Sequence, residues 1–248
     1  MNAYKNYFSS QSDAYAAHRP TYPPALFAWL ASQCTERDQA WDCATGNGQA
    51  ALALAEHFNR VIGTDASAEQ ISHAALHPKL HYRVSTAEQS SLPGRSLDLV
   101  TVAQAAHWFD LPRFYDEAAR VLKPNGVIAI WAYGLVSISP LIDIQINQFY
   151  RETLGPYWPP ERAMIDEGYR SLPFPFNEIP APQLTMRADW SLDALIAYLG
   201  TWSAVKCYRA ACNEDPLPRL RTRLLPDWDN PALTSTISWP LYLRVGRL

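Results

Sequence analysis

Two aspartates and two glycines are the residues of this sequence whose types and spacing could do chemistry. Asp42 ends a short apolar run, and Gly46 and Gly48 form a tight turn before an alanine-rich stretch. Asp65 ends a second apolar run. Strand, glycine turn and helix open a nucleotide-binding βαβ unit, and an acid at the tip of its second strand can accept hydrogen bonds from both ribose hydroxyls. The pattern predicts a nucleoside ligand and leaves its identity open.

The same glycines also fit a second class of ligand. The run from Gly46 to Ala51 matches the dinucleotide fingerprint, with alanine in the last glycine position, so a nicotinamide cofactor is an alternative. Asp42 counts against it, because an anion at the mouth of strand one would face the pyrophosphate of a dinucleotide unfavourably. That anion suits a ligand with a positive charge, such as an amino group or a sulfonium.

The elements that must position these residues follow from apolar periodicity and from proline and glycine breaks. Strands are predicted at residues 40–43, 60–65, 80–84, 96–104, 127–133, 184–190 and 237–244. Helices are predicted at residues 24–34, 50–57, 68–76, 111–122, 142–150, 162–171, 192–201 and 217–225. Ser67 is the expected N-cap of the third helix, and the Pro-Asn-Gly run at 124–126 is expected to stop the fourth.

Five motifs between about residues 40 and 132 resemble, in order and spacing, those of the class I S-adenosylmethionine-dependent methyltransferases. They lie at residues 42–48, 61–67, 84–93, 97–109 and 118–130. Within that family the chain looks like the small-molecule branch that includes the trans-aconitate and ubiquinone/menaquinone-type enzymes. Each motif is unspecific by itself, and the ordered set of five carries the resemblance.

The resemblance implies an α/β fold of the Rossmann-like class I methyltransferase type. A seven-stranded mixed sheet is expected, with helices on both faces, an antiparallel last strand and a lid insertion after strand five. One domain would comprise a cofactor-covering arm and helix (1–37), a cofactor-binding core (38–134), the lid insertion (135–182) and C-terminal strands and helices (183–248).

The resemblance also implies which residues hold S-adenosylmethionine. Outside the N-terminal arm these candidate cofactor contacts are Asp42, Ala44, Thr45, Gly46, Gly48, Asp65, Ala66, Thr86, Ala87, Glu88, Gln104 and Ala105. Ala44 stands where the family motif has its first glycine, which would tighten the floor of the pocket. Either Thr86 or Glu88 would accept a hydrogen bond from the adenine amine.

An N-terminal stretch, residues 13–23, resembles the segment that closes over the methionine end of the cofactor in relatives. Its Arg19 could pair bidentately with the amino-acid carboxylate of the cofactor. Tyr7 and Tyr15 could lie over the sulfonium by cation–π attraction, and Tyr7 is also a candidate substrate contact. The alternative is a loose arm packed on the surface.

His107 and Tyr133, near the ends of strands four and five, are the candidate catalytic residues. His107 could be a general base or a substrate contact, or it could shape the pocket wall together with Trp108. Trp202 follows the helix predicted at 192–201 and is a further candidate substrate contact, with packing against the sheet as the alternative.

The expected reaction is methyl transfer to a small-molecule acceptor by in-line displacement, in which the protein mainly aligns the acceptor and excludes water. A carboxylic acid is one acceptor class, and it would need positive charge, for which Arg170, Lys206 and Arg209 are candidates. Exposed surface charge is the alternative for each. An NAD(P)-dependent oxidoreductase and a non-catalytic nucleoside-binding protein of the same fold remain as alternatives.

Composition limits partners and compartment. The 248 residues include 21 basic and 24 acidic side chains, with a formal net charge of −3 and no basic run longer than a pair, so no nucleic-acid partner is expected. No apolar run approaches membrane-spanning length, and no signal-peptide pattern is visible. The four cysteines form no CxxC pair, which favours reduced thiols in the cytoplasm and no metal site. A monomer or homodimer is expected.

Overall fold

The described parts of the computed structural model, residues 20–228, 230–231 and 233–248, alternate between strands and helices. The strands are β1 (Gln39–Cys43), β2 (Arg60–Asp65), β3 (Leu80–Val84), β4 (Leu97–Ala103), β5 (Leu122–Tyr133), β6 (Asn177–Glu178), β7 (Leu184–Trp190) and β8 (Ser235–Arg247). The α-helices are α1 (Pro24–Gln33), α2 (Gln49–Ala55), α3 (Ala68–Ser72), α4 (Leu111–Val121), α5 (Pro140–Gln148), α6 (Arg162–Asp166), α7 (Leu192–Gly200), α8 (Ser203–Cys212) and α9 (Leu217–Leu224). The α/β class predicted from sequence is confirmed.

All of these strands belong to one mixed sheet with the order β3-β2-β1-β4-β5-β8-β6, and β7 pairs with another part of β8. Strands β1 to β5 are parallel, and β8 runs antiparallel to β5, as predicted. The sheet has eight strands instead of seven because of β6. This strand has two residues, which pair with Arg247 and Gly246, and it is too short to leave a periodic signal in the sequence.

Strand β1 lies at the centre of the parallel part of the sheet. Its Asp42 is in register with Gly63 of β2 on one side and with Thr101 of β4 on the other. The carboxyl ends of these three strands therefore meet at one edge of the sheet, where loops and helix N-termini form a crevice in folds of this type.

Two hydrophobic cores cover the two faces of the sheet. Side chains alternate across a strand, so Leu99 and Trp131 pack with α1 and α2 on one face, whereas Val100 and Ile130 pack with α4 on the other. Helices on both faces were predicted, and the pattern of buried residues confirms them.

Helix α3 is shorter than predicted, ending at Ser72 instead of residue 76. Ser67 caps it as expected, because its side chain accepts a hydrogen bond from the N–H of Gln70. The chain then leaves the helix because the backbone of Ala75 is held elsewhere. Its N–H donates to the carbonyl of Asn47, and its carbonyl accepts from the hydroxyl of Tyr82.

The junction of α4 and β5 also differs from the prediction. The helix ends at Val121, and β5 begins at once with Leu122, so the Pro-Asn-Gly run at 124–126 lies inside the strand and does not stop the helix. Asn125 has a φ of 63°, and the pairing with β4 shifts register at this point. The Pro-Asn-Gly run therefore lies where the regular pairing of β5 with β4 is interrupted.

Residues 135–182, the predicted lid, contain α5, a π-helical turn (Phe149–Thr153), α6 and β6. The helix predicted at 162–171 has only five residues. Gly168 and Tyr169 follow with φ angles of 63° and 57°, and left-handed residues end an α-helix. Helix α8, after Trp202, was not predicted.

Candidate functional site

Asp42 is fully buried at the end of β1, and hydroxyl groups hold both of its carboxylate oxygens. Thr45 Oγ1 donates to Oδ2 at 2.5 Å, and Thr101 Oγ1 donates to Oδ1 at 2.8 Å. Burial raises the pKa of Asp42 to about 6, although both hydroxyl hydrogen bonds favour the charged form. Asp42 therefore connects β1 to the following turn and to β4, and it exposes no surface to a ligand.

Asp65 lies at the end of β2 and joins the turns that follow β1 and β2. Its Oδ2 accepts a hydrogen bond from the N–H of Gly46, and its Oδ1 accepts one from the N–H of Ser67, both at 2.9 Å. Burial raises its pKa, and backbone N–H groups, including that of Ala66, oppose the shift. The residue is not completely buried, because 8% of its surface is accessible.

The turn between β1 and α2 is built from left-handed residues. Gly46 and Gly48 have φ angles of 57° and 85°, and a side chain at Gly48 would overlap the hydroxyl of Tyr82. Ala44 has a φ of 54°, in the region that glycine favours, which costs an alanine about 1–2 kcal/mol. The chain thus keeps the turn geometry where it lacks the first glycine of the motif.

The loop after β3 places the candidate adenine contacts beside this turn. Ala87 is buried, whereas Thr86 is exposed and forms an isolated bridge with Gln89. Glu88 is half-buried, and its Oε1 accepts a hydrogen bond from the N–H of Asp110, the N-cap of α4. Thr86 and Glu88, the two candidate acceptors for the adenine amine, are therefore both accessible on this loop.

The ends of β4 and β5 are tied together through Gln104. This residue has a φ of 57°, and its Oε1 accepts a hydrogen bond from the N–H of Tyr133 at 3.2 Å. Ala105 and Tyr133 are both buried. The structure therefore brings Gln104, Ala105 and Tyr133 to the same edge as Asp65, because β4 lies beside β1 and β5 lies beside β4.

His107 lies in a 3₁₀ turn (Ala106–Trp108) just beyond β4, with 7% of its surface exposed. Its Nδ1 is 2.8 Å from the hydroxyl of Tyr169, and its ring centroid is 4.6 Å from that of Trp108. Burial, which is the larger cause, and the charge of Arg162 together lower the pKa of His107 to about 3. The imidazole is therefore neutral near pH 7 and a weak base.

Arg162, the first residue of α6, is a cation beside this histidine that sequence reasoning missed. Its guanidinium carbon lies over the rings of Trp158 and Tyr150, at 5.0 and 5.6 Å from their centroids. Its Nε donates to the hydroxyl of Tyr150 at 3.0 Å and lies 3.4 Å from Oδ1 of Asp166. The aromatic and proline residues before it in sequence were the available signal.

The three cations proposed from sequence do not share this position. Arg170 is exposed, Arg209 pairs with Asp215 at 2.8 Å, and Lys206 lies on α8. Tyr169 was also missed, and it became relevant only through its contact with His107.

Trp202 is buried between α7 and α8 and packs on the lid aromatics. Its ring centroid lies 5.5 Å from that of Trp158, 5.7 Å from Tyr150 and 6.0 Å from Tyr198. Trp202 therefore packs against Trp158 and Tyr150, the two aromatic residues that lie against Arg162.

The candidates in the N-terminal arm, Tyr7, Tyr15 and Arg19, lie outside the described residues, and their roles stay predictions. Within the described ranges, no helix combines the length and the apolar character needed to cross a bilayer.

Comparison with known proteins tests the family. A family model described as a methyltransferase domain matches residues 41–130, which run from β1 into β5. A Dictyostelium discoideum protein with a provisional methyltransferase name is 38% identical over 247 residues, which cover 97% of this chain and 94% of that protein. A Mycolicibacterium smegmatis relative, provisionally named as S-adenosylmethionine-dependent, is 32% identical over 132 residues, covering 52% of this chain and 51% of that protein.

Solved structures agree with this result. A structure from Anaeromyxobacter dehalogenans, provisionally named a type II methyltransferase, superposes with a TM-score of 0.88 at 44% identity, covering 92% of this chain and 97% of that one. The fold and the relatives favour methyl transfer over the nicotinamide alternative. The chain therefore belongs to the class I S-adenosylmethionine-dependent methyltransferases, enzymes that use S-adenosylmethionine as the methyl donor.

Proposed function

We propose that this enzyme methylates a small-molecule carboxylic acid and that Asp65 holds the ribose of S-adenosylmethionine. The position of Asp65 beside the Gly46 turn carries the proposal. Each of its oxygens accepts one backbone N–H, and a carboxylate oxygen has a second acceptor site that can receive a ribose hydroxyl.

The turn offers room for the cofactor next to this carboxylate. Among the described residues, a Cβ built on Gly46 would approach a single atom within 4 Å, Oε1 of Gln70 at 3.8 Å, so this part of the chain leaves space beside the backbone there. The other candidate cofactor contacts on the described strand ends lie along the same edge. Asp42, which has no exposed surface, acts in this proposal by holding Thr45 and the turn and does not contact the sulfonium.

In this reaction the protein mainly has to align the acceptor with the methyl group and exclude water. A lone pair of the acceptor forms a bond to the methyl carbon, the S–C bond breaks, and its electron pair neutralises the sulfonium to give S-adenosylhomocysteine. A carboxylate is already deprotonated near pH 7, so its methylation requires no general base. This fits His107, which is neutral and weakly basic, and assigns it to contact with the substrate.

The remaining expectations belong to the same proposal. Residues 135–182 would cover the acceptor as a lid, with Trp108, Tyr133 and Trp202 as walls. Of the two enzyme types that the chain resembles, a carboxylic acid acceptor corresponds to the trans-aconitate type and not to the ubiquinone/menaquinone type. All four cysteines are free, which fits the reducing cytoplasm. A net charge of −3 argues against nucleic-acid partners, and a monomer or homodimer is proposed.

A labelling experiment tests the proposal. The purified protein is incubated with S-adenosylmethionine labelled in the methyl group and with a metabolite extract divided by anion exchange. We expect label in small molecules from the retained, anionic fraction, and we expect mild alkali to release it as methanol, because methyl esters hydrolyse under these conditions. Alkali-stable label would contradict a carboxylate acceptor, and the absence of any labelled small molecule would contradict the function.

A further inference from the structure

The terminal amino groups of Arg162 are hydrogen-bond donors that have no acceptor among the described residues. Trp158 and Tyr150 cover the face of the guanidinium, and Tyr150 and Asp166 occupy its Nε edge. Among the described residues, its two terminal amino groups have no hydrogen-bond partner. Only 19% of the side chain is exposed, so water would screen its attraction to a bound anion much less than at an exposed arginine.

Asp166 does not supply the missing acceptor. Both of its oxygens accept hydrogen bonds from the hydroxyl of Tyr150, at 2.7 and 2.9 Å, and the distance of 3.4 Å to Nε is long for a charge-assisted hydrogen bond. The side chain of Asp166 is also 48% exposed, so water screens its charge.

His107 adds a second donor beside Arg162. Tyr169 is fully buried, and among the described residues Nδ1 of His107, at 2.8 Å, is the acceptor within reach of its hydroxyl, so this hydroxyl donates its proton to Nδ1. A neutral imidazole that accepts at Nδ1 carries its own proton on Nε2. Nε2 has no hydrogen-bond partner in the part of the chain that the structure describes, and it is a donor.

We propose that Arg162 and His107 together bind the carboxylate of the methyl acceptor, a role that rests on the proposed function. The guanidinium supplies one positive charge and His107 supplies a neutral donor, so the pair suits a monoanion rather than a dianionic phosphate. Trp158 and Tyr150 make the adjoining surface aromatic, which suits an acceptor with an apolar body. Tyr169 is a positioning residue that selects the tautomer of His107.

Acetate tests this site, because it is small enough to enter whatever the body of the acceptor. The full chain, labelled with [¹⁵N]histidine and saturated with S-adenosylhomocysteine, is titrated with sodium acetate or acetamide at constant ionic strength. We expect acetate, but not acetamide, to move the Nε2 resonance of His107 saturably, with His107→Gln supplying the assignment. No saturable response to acetate, or an equal response to acetamide, would overturn the proposal.

Substitutions at Arg162 test whether its guanidinium binds the acetate. Arg162→Met should weaken acetate binding at least tenfold, and Arg162→Lys should weaken it less, because lysine keeps the charge and loses the planar fork. Arg151→Met, at an exposed arginine of the same segment, is the control and should leave binding unchanged. Thermal unfolding and S-adenosylhomocysteine affinity report whether each variant is folded. A folded Arg162→Met variant that binds acetate like the wild type would refute the assignment.

Tyr169→Phe tests the tautomer separately. We expect the ¹⁵N resonances of the His107 ring to change from a single Nε2–H form to a mixture of tautomers, and an unchanged spectrum would contradict the positioning role. None of these measurements requires turnover. A chain that binds acetate here and methylates no carboxylate would refute the proposed function alone, whereas methylation without acetate binding would refute this site alone.

Discussion

Asp65 and Asp42 are both buried carboxylates at the ends of neighbouring strands, but their hydrogen bonds indicate different roles. Asp65 receives backbone N–H groups from two turns, and 8% of its surface is accessible. Asp42 receives two hydroxyl groups and has no exposed surface. Asp65 is therefore the carboxylate that we propose to bind a ligand, whereas Asp42 stabilises the turn and β4 beside it.

Asp65→Ala should lower the affinity for S-adenosylmethionine by about 2–4 kcal/mol, because one or two charge-assisted hydrogen bonds are lost. Isothermal titration calorimetry measures this change. Asp116→Ala, at an exposed acid on α4, is the matched control. A folded Asp65→Ala variant with wild-type affinity would remove Asp65 from the site.

Asp42 should make the protein less stable as pH rises from 4 to 6. Its pKa is about 6 in the folded protein against 3.8 for an ordinary aspartate, so its stabilising contribution is complete below pH 3.8 and is lost through pH 6. Asp42→Asn removes this loss. Urea unfolding at pH 4, 5, 6 and 7 should show the stability of the wild type falling relative to the variant by about 2–3 kcal/mol. Parallel curves would contradict the burial of an ionisable group here.

At the scale of elements, Tyr82 of β3 connects β2, the glycine turn and the segment after α3. Its ring lies across β2, where a Cβ on Gly63 would come within 2.7 Å of two ring carbons, and its hydroxyl donates to Ala75. Gly63 and Gly48 are thus glycines because the same tyrosine fills the space beside both. This packing sets the distance between the turn that holds Asp65 and the third strand.

Gly63→Ala should destabilise the protein by about 1–3 kcal/mol through overpacking. Tyr82→Leu in the same chain should recover part of this loss, because the clashing ring is gone, and a double-mutant cycle in urea measures the coupling. Gly155→Ala, where a Cβ meets nothing within 4 Å, should change stability by less than about 0.5 kcal/mol. Additive effects of the Gly63 and Tyr82 changes would show that the two positions do not interact.

At the scale of the whole molecule, the last strand holds part of the segment at residues 135–182 that is proposed as a lid. Arg244 of β8 donates to the carbonyls of Tyr169 and Leu172, each at 3.0 Å, lies 4.8 Å over the ring of Phe174 and pairs with Glu178. Tyr169 in turn contacts His107 at the end of β4. A residue near the C-terminus therefore fixes the geometry of the proposed acceptor site.

Arg244→Met should increase amide hydrogen exchange in residues 167–172 and lower stability by about 2–4 kcal/mol, because the carbonyl of Leu172 loses its donor and that of Tyr169 keeps only the N–H of Leu172. Exchange within β1 and β2 should change only by the global amount. Arg187→Met, at an exposed position on β7, is the control. If exchange rose equally everywhere, Arg244 would stabilise the sheet and not the lid in particular.

Local patterns determined much of this protein before any tertiary contact was known. The bounds of β2 and β3 and the Ser67 cap were predicted correctly because each depends on residues close in sequence, whereas the antiparallel last strand was implied by the family resemblance. The same patterns indicated that Asp42 and Asp65 share one edge of the sheet. Binary periodicity and capping chemistry suffice for such features.

Tertiary structure alone decided the rest. Asp42 is fully buried and accepts a hydrogen bond from Thr101, 59 residues away, and His107, which burial keeps neutral, contacts Tyr169 from 62 residues away. Arg162 is proposed as a site residue because Trp158 and Tyr150, which precede it in sequence, lie against its guanidinium. Burial and hydrogen-bond partners set the charge and the accessibility of a side chain, and residues distant in sequence supply both.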